Sequence, residues 1–299
     1  MDDVTFPIGG ESRYFTAPDG VRLHARIYEA SGDACPALCL PGLARTAMDF
    51  DPLARALSEG RHGPARRVVA IDYRGRGESS FDPAGVYDVM VENADLLAVA
   101  AALEIGRAAI VGTSRGGLHA MILAATKPEM LRGVVLNDVG PRLEAQGLMR
   151  IRAYVGKLPK PGSYAQAAAM LKDVAGAQFP ALGDDDWAFF AQTTFRPGES
   201  GLEPRYDARL LRALETLDLT QPLPEMWPQF EGLAHAPTLA IRGERSDLFS
   251  AATLAEMATR HPNFSSTTVP GQGHAPLLRD EPTIRLIGES IARWTAGAG

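Results

Sequence analysis

Gly112-Thr113-Ser114-Arg115-Gly116 is the stretch from which the fold of this chain can be read. An apolar run, Ala108 to Val111, enters the pentapeptide, and a helical pattern, Gly117-Leu118-His119-Ala120-Met121-Ile122-Leu123, leaves it. A serine at a sharp turn between a buried strand and a packed helix has its hydroxyl pushed out above the sheet. Glycines flank it because side chains there would collide with the neighbouring strand and helix. G-x-S-x-G alone arises by chance in a chain with 30 glycines. Its place between strand and helix makes Ser114 a candidate nucleophile.

A serine hydroxyl needs a base, and the base needs an orienting carboxylate, in the chain order Ser, Asp or Glu, His. Beyond Ser114 and its helix lie His235, His261 and His274. His274 sits in Val269-Pro270-Gly271-Gln272-Gly273-His274, where a strand ends in a glycine-rich loop that can carry an imidazole to the sheet edge. His235 precedes a strand and His261 adjoins Pro262 at a helix end, positions that suit surface or capping roles. His274 is therefore the candidate base. Two aspartates follow apolar strands, Asp138 after Val134-Val135-Leu136-Asn137 and Asp247 after Leu239-Ala240-Ile241-Arg242-Gly243. Asp247 is the preferred acid, because its loop comes one strand before the histidine and the two loops should be neighbours along the strand ends. Asp138 is the lesser contender, read as ending its strand and positioning the next loop, and Glu244 is a minor one.

These residues resemble the alpha/beta-hydrolase superfamily, and within it the cap-bearing serine hydrolases related to esterases, cofactor-free haloperoxidases and carbon–carbon bond hydrolases. The likeness extends to Leu38-Cys39-Leu40-Pro41-Gly42-Leu43 at the end of an early strand. It also includes Asp72-Tyr73-Arg74-Gly75-Arg76-Gly77-Glu78-Ser79, similar to the segment D-x-R-G-x-G-x-S of that group. The resemblance implies an oxyanion hole made by the backbone amides of Leu43 and Arg115. One departure is Pro41-Gly42, where the family usually carries His-Gly. Main-chain donors do not need the imidazole, although Pro41 cannot donate and can alter the loop path. An arginine after the nucleophile is a second departure. Its guanidinium is read as pairing with a carboxylate under the cap or lying on the rim, with contact to an anionic substrate as the sharper alternative.

The expected architecture is α/β: a mostly parallel central sheet with helices on both faces and an inserted helical cap. Arg13 to Thr16 and Arg22 to Tyr28 alternate in polarity around Ala17-Pro18-Asp19-Gly20, a hairpin signal. Apolar strands follow at 37–40, 68–72, 108–112, 133–137, 238–242 and 265–269, with helical patterns at 87–103, 116–126, 251–259 and 283–294. Between Pro141 and about Gly232 the alternation stops, and helical stretches separated by Pro159, Pro161, Pro180, Pro197 and Pro204 take over. Residues 1–141 and 232–299 thus form the core in two parts, and 142–231 the cap. Ten of the 21 aromatics gather in the cap, namely Tyr154, Tyr164, Phe179, Trp187, Phe189, Phe190, Phe195, Tyr206, Trp227 and Phe230; most pack the cap, and a few should line an apolar pocket over Ser114. Asp184-Asp185-Asp186 reads as a helix start rather than a calcium loop.

With 299 residues, 45% hydrophobic and 22% charged, the chain can bury one large core plus an accessory domain. A net charge of −6 and arginines interleaved with acids argue against nucleic acid as a partner. No apolar stretch is long enough for a membrane span, and Met1-Asp2-Asp3 is acidic where a secretory signal is basic, so a cytoplasmic protein is expected. Cys35 and Cys39 read as strand residues, with no second ligand pair for a metal. Neither metal nor cofactor is expected. The expected chemistry is hydrolysis of a small carboxylic ester or lactone through an acyl-enzyme, with Ser114 attacking, His274 moving the proton and Asp247 orienting it. The resemblance also permits carbon–carbon cleavage of a diketone-type substrate. A non-catalytic ligand-binding protein on the same scaffold is the alternative from another class. Relatives that release fluoride or open epoxides carry an aspartate where this chain has Ser114.

Overall fold

The computed structural model describes residues 4–296. Strands β1 (Glu11–Thr16) and β2 (Arg22–Tyr28) form the expected antiparallel hairpin. Then come β3 (Ala34–Leu40), helix α1 (Asp51–Ser58), β4 (Arg66–Asp72), α2 (Val89–Ala102), β5 (Ala108–Thr113), α3 (Arg115–Thr126) and β6 (Leu131–Asn137). An insertion follows with α4 (Ala145–Tyr154), α5 (Tyr164–Ala175), α6 (Asp184–Thr194), β7 (Phe195–Gly198), β8 (Gly201–Pro204), α7 (Arg212–Glu215) and α8 (Trp227–Glu231). The chain then returns through β9 (Thr238–Gly243), α9 (Ala251–Arg260), β10 (Phe264–Val269) and α10 (Glu281–Thr295).

The main sheet has eight strands in the order β1-β2-β4-β3-β5-β6-β9-β10. β2 joins β4 antiparallel, and every pair from β4 to β10 is parallel. Parallel strands covered on both faces must be apolar at successive positions, which is why 37–40, 68–71 and 108–111 read as unbroken apolar runs. The period of two then sorts the side chains. Leu38, Leu40, Ile110, Val134 and Leu136 face one layer with Leu96, Val99, Met121 and Leu123 of α2 and α3. Ala37, Cys39, Ala109, Val111 and Val135 face the other, with Leu53 and Leu57 of α1 and Ile284, Ile287 and Ile291 of α10. β3 starts three residues earlier than expected, and its register shifts between Ala34 and Ala37, around Pro36, which cannot donate to a ladder.

The parallel sheet runs unbroken from β6 to β9, so the 94-residue stretch from Asp138 to Glu231 is added over the strand ends without interrupting it. The insertion is not all helical. Pro197 and Pro204 lie in the β7–β8 ribbon, pairing with Leu202 and Phe195. In a two-stranded ribbon each strand has a free edge, and that is where a proline without an N–H can be placed. Trp187 anchors the insertion's own core, edge-on to Phe179 and near Phe190. Asp186 accepts from the Gly183 amide at 2.9 Å, so the acidic run does open α6.

Candidate active site

Ser114 joins β5 to α3 with φ +50° and ψ −112°, a backbone conformation that L-residues avoid. Two neighbours make it possible. A Cβ on Gly112 would lie 2.5 Å from the Gly116 carbonyl carbon, and one on Gly116 would lie 2.0 Å from the Leu40 carbonyl oxygen. Neither space admits an alanine, so strand and helix close against each other only through glycine. The Ser114 amide donates to the Asn137 carbonyl at 2.9 Å, locking the turn to the end of β6.

His274 is on the loop after β10, with Nε2 2.9 Å from Ser114 Oγ. Its Nδ1 lies 2.8 Å from Asp138 Oδ2, not against Asp247. The carboxylate partner expected from the sequence is thereby corrected. Asp138 is fully buried immediately past β6, the neighbour of the strand that leads into Ser114, and takes φ +55°. That turn directs its carboxylate along the strand ends, where Oδ1 accepts from the Gly243 amide at 2.7 Å and Oδ2 from Ser246 Oγ at 2.5 Å. Three donors thus converge on the carboxylate, a geometry that fixes its orientation toward one imidazole nitrogen.

Asp247 does other work. Its oxygens take a two-pronged contact from Arg150 of α4, Nε to Oδ2 at 2.7 Å and Nη2 to Oδ1 at 2.9 Å. Its carbonyl accepts from the Gly147 amide at 3.0 Å. Burial opposes ionisation of Asp247, but the Arg150 contact outweighs it and holds the carboxyl below its usual range. The residue clamps the first helix of the insertion to the core. Glu244 is exposed and accepts from the Gly271 amide at 2.7 Å. His235 bonds the carbonyls of Gly232 and Pro128, and His261 is buried against the Leu233 carbonyl, a core position rather than a surface one.

The loop after β3 brings Gly42 and Leu43 to the serine: a Cβ on Gly42 would be 3.8 Å from Ser114 Cβ. Among the described residues no oxygen accepts from the amides of Leu43 or Arg115. The Arg115 guanidinium takes the blander of its two readings, with Nε on Glu92 Oε2 at 2.5 Å and Nη2 on the Tyr87 carbonyl at 3.0 Å. Arg74 and Asp72 stiffen the motif that contains them. Arg74 bonds Asp19, Asp82 and Asp95, and Asp72 accepts from the amides of Ala47 and Glu78.

Over Ser114 and His274 lies a cavity of about 110 Å³ walled by Leu43, Ile151, Val155, Phe179, Phe189 and Phe190. Its lining also includes Arg45 and Asp49, whose charges neutralise each other through Nε–Oδ2 at 2.7 Å and Nη2–Oδ1 at 2.5 Å. Arg45 also reaches Thr193 Oγ1 and Thr194 Oγ1 at the end of α6 and stacks 4.3 Å over Phe190. Among the described residues no group of three or more His, Cys, Asp or Glu is placed to hold a metal ion. No described helix is long and apolar enough to cross a membrane.

The sequence profile of the alpha/beta hydrolase family matches residues 37–286. A 3-hydroxybutyrate-oligomer hydrolase of Cupriavidus necator is 34% identical over 280 residues, covering 88% of this chain and 92% of that one. A 2-(acetamidomethylene)succinate hydrolase of Mesorhizobium japonicum is 28% identical over 239 residues, covering 78% and 79%. The crystal structure of an alpha/beta hydrolase from Novosphingobium aromaticivorans superposes with a TM-score of 0.87 at 40% identity, covering 95% of this chain and 98% of that one. Profile, relatives and sheet topology agree, and the chain belongs to the alpha/beta hydrolase family.

Proposed function

We propose that the protein hydrolyses short carboxylic esters by a covalent acyl-enzyme route. The observation that carries this reading is the unbroken relay Ser114 Oγ, His274 Nε2, His274 Nδ1, Asp138 Oδ2, with separations of 2.9 and 2.8 Å. His274 takes the Ser114 proton as Oγ attacks the carbonyl carbon, and Asp138 stabilises the imidazolium and fixes which nitrogen carries hydrogen. The oxyanion is held by the amides of Leu43 and Arg115, donors that no other described group uses. His274 returns the proton to the leaving alkoxide. Water then repeats the sequence on the acyl-enzyme, releasing the carboxylic acid and regenerating Ser114.

The cavity supports a small, neutral acyl group. It is narrow, its walls are aliphatic and aromatic, and its Arg45–Asp49 pair carries no net charge. A short acyl chain suits these walls, and 3-hydroxybutyrate, for whose oligomers the relative in Cupriavidus necator is named, has an acyl chain of four carbons. The test is turnover of nitrophenyl esters from acetate to decanoate, and of the linear 3-hydroxybutyrate dimer, by wild type and Ser114→Ala. Turnover that peaks at four carbons or fewer and vanishes in Ser114→Ala is expected. A wild type inert to every ester but active on a diketone would replace ester cleavage with carbon–carbon cleavage.

A further inference from the structure

Behind the serine turn lies a buried ion cluster that none of the steps above uses. The side chains of Arg76 and Glu92 are fully buried and that of Arg115 is 15% exposed. Arg76 Nε donates to the Leu43 carbonyl at 2.8 Å, and Arg76 Nη1 donates to Glu92 Oε1 at 2.6 Å. The other carboxylate oxygen, Oε2, accepts from Arg115 Nε at 2.5 Å. One carboxylate therefore grips two arginines. The first of them holds the backbone of Leu43, and the second is itself the residue after the nucleophile.

We propose that Glu92 is a positioning residue: through Arg76 and Arg115 it sets the separation of the two backbone segments whose amides receive the oxyanion. The inference rests on the serine-hydrolase reading. Fixing the Leu43 carbonyl limits rotation about that residue and so aims its N–H, while Glu92 and the Tyr87 carbonyl together hold the first turn of α3. An oxyanion hole works only if its donors already stand at hydrogen-bond distance from the developing charge. A buried ion cluster is a weak source of stability, since well-packed apolar residues of equal volume do as well. Its distinctive property is direction, and here, besides the carbonyls of Arg74 and Tyr87 and the ring of His119, the contacts reach both amide-bearing residues.

Glu92→Gln keeps the volume and breaks the relay. A carboxylate accepts at both oxygens, whereas an amide presents hydrogens at one end, so Arg76 and Arg115 cannot both be held. The substitution also leaves the cluster more positive. Charge alone would favour an oxyanion and raise the rate, whereas lost positioning lowers it, so the two roles predict opposite signs. The experiment measures kcat and KM for nitrophenyl butyrate, and the second-order rate of Ser114 labelling by a fluorophosphonate, each normalised to folded protein. Glu92→Gln is expected to lose about tenfold or more in kcat and in labelling rate with KM within about twofold, because the donors act mainly in the transition state. If that variant does not fold, Arg115→Met cuts one arm at a partly exposed side chain. It should lower kcat several-fold, with Arg115→Lys, which still reaches Glu92, recovering most of the loss. Unchanged or faster kcat and labelling in folded Glu92→Gln, or in Arg115→Met, overturns the inference alone. A wild type that neither labels nor turns over removes the serine-hydrolase reading and this inference with it.

Discussion

Asp138→Asn is the substitution whose effect follows most directly from the geometry. The Asp138 carboxylate faces three donors, the Gly243 amide, Ser246 Oγ and His274 Nδ1. The Gly243 amide can only donate, so an asparagine keeps its oxygen there and turns its NH2 toward His274. Nδ1 must then accept, the hydrogen moves to Nε2, and the imidazole can no longer take a proton from Ser114. The wrong tautomer costs on the order of 10⁴-fold in kcat, which corresponds to about 5.5 kcal/mol of transition-state stabilisation. The assay is steady-state hydrolysis of nitrophenyl butyrate near pH 8, with Asp247→Asn as the matched comparison. Asp247→Asn removes a contact to the insertion rather than to His274, so its kcat should stay within about threefold of wild type. A loss of that scale in Asp247→Asn, with Asp138→Asn left active, would mean that Asp138 does not set the His274 tautomer.

Other consequences concern stability, acid and selectivity. Arg150→Met should leave Asp247 without its cationic partner, cost about 1–3 kcal/mol, and increase proteolysis within 142–231; an unchanged melting curve and digestion pattern would show that the clamp contributes nothing. Gly116→Ala should destabilise by at least about 3 kcal/mol or prevent folding, because its Cβ would lie 2.0 Å from the Leu40 oxygen, and wild-type stability in denaturant would contradict this. Burial opposes ionisation of Glu92, but Arg76, His119 and Arg115 outweigh it and hold its carboxyl at about 2. A carboxyl depressed on folding contributes stability that is complete above about pH 4.5 and lost as pH falls toward 2. Wild type should therefore weaken across that interval by more than Glu92→Gln does, and parallel curves would exclude the effect. Ile151→Ala should widen the acyl cavity and move the preferred nitrophenyl ester to a longer chain, a shift absent if Ile151 does not meet the acyl group.

The sheet was legible because its strands are buried on both faces and therefore continuous in apolar residues, and the turn at Ser114 because only glycine fits at 112 and 116. His274 followed from its glycine-rich loop. The acid did not, because both aspartates follow an apolar strand and chain order admits either. What distinguishes them is adjacency in space: β6 lies beside the strand that leads into Ser114, and Asn137-Asp138 contains residue types that tolerate a left-handed turn. The pull of Arg150 on Asp247 is a contact across 97 residues, which no local pattern records. The ribbon in the insertion was hidden because Pro197 and Pro204 read as helix breaks, which is also how prolines on strand edges look. Glu92 sits within an otherwise ordinary helical pattern, and its partners come from two other segments, so the buried cluster emerges only with the fold.

Acylation of Ser114 is the step on which the proposed route depends. Rapid-quench mixing of wild type with nitrophenyl butyrate, followed by peptide mass spectrometry, tests it directly. A butyryl group is expected on the peptide containing Ser114, appearing with the first turnover and missing in Ser114→Ala. Multiple turnovers of the ester with no acyl group trapped at any time, or with the group on another residue, would contradict it.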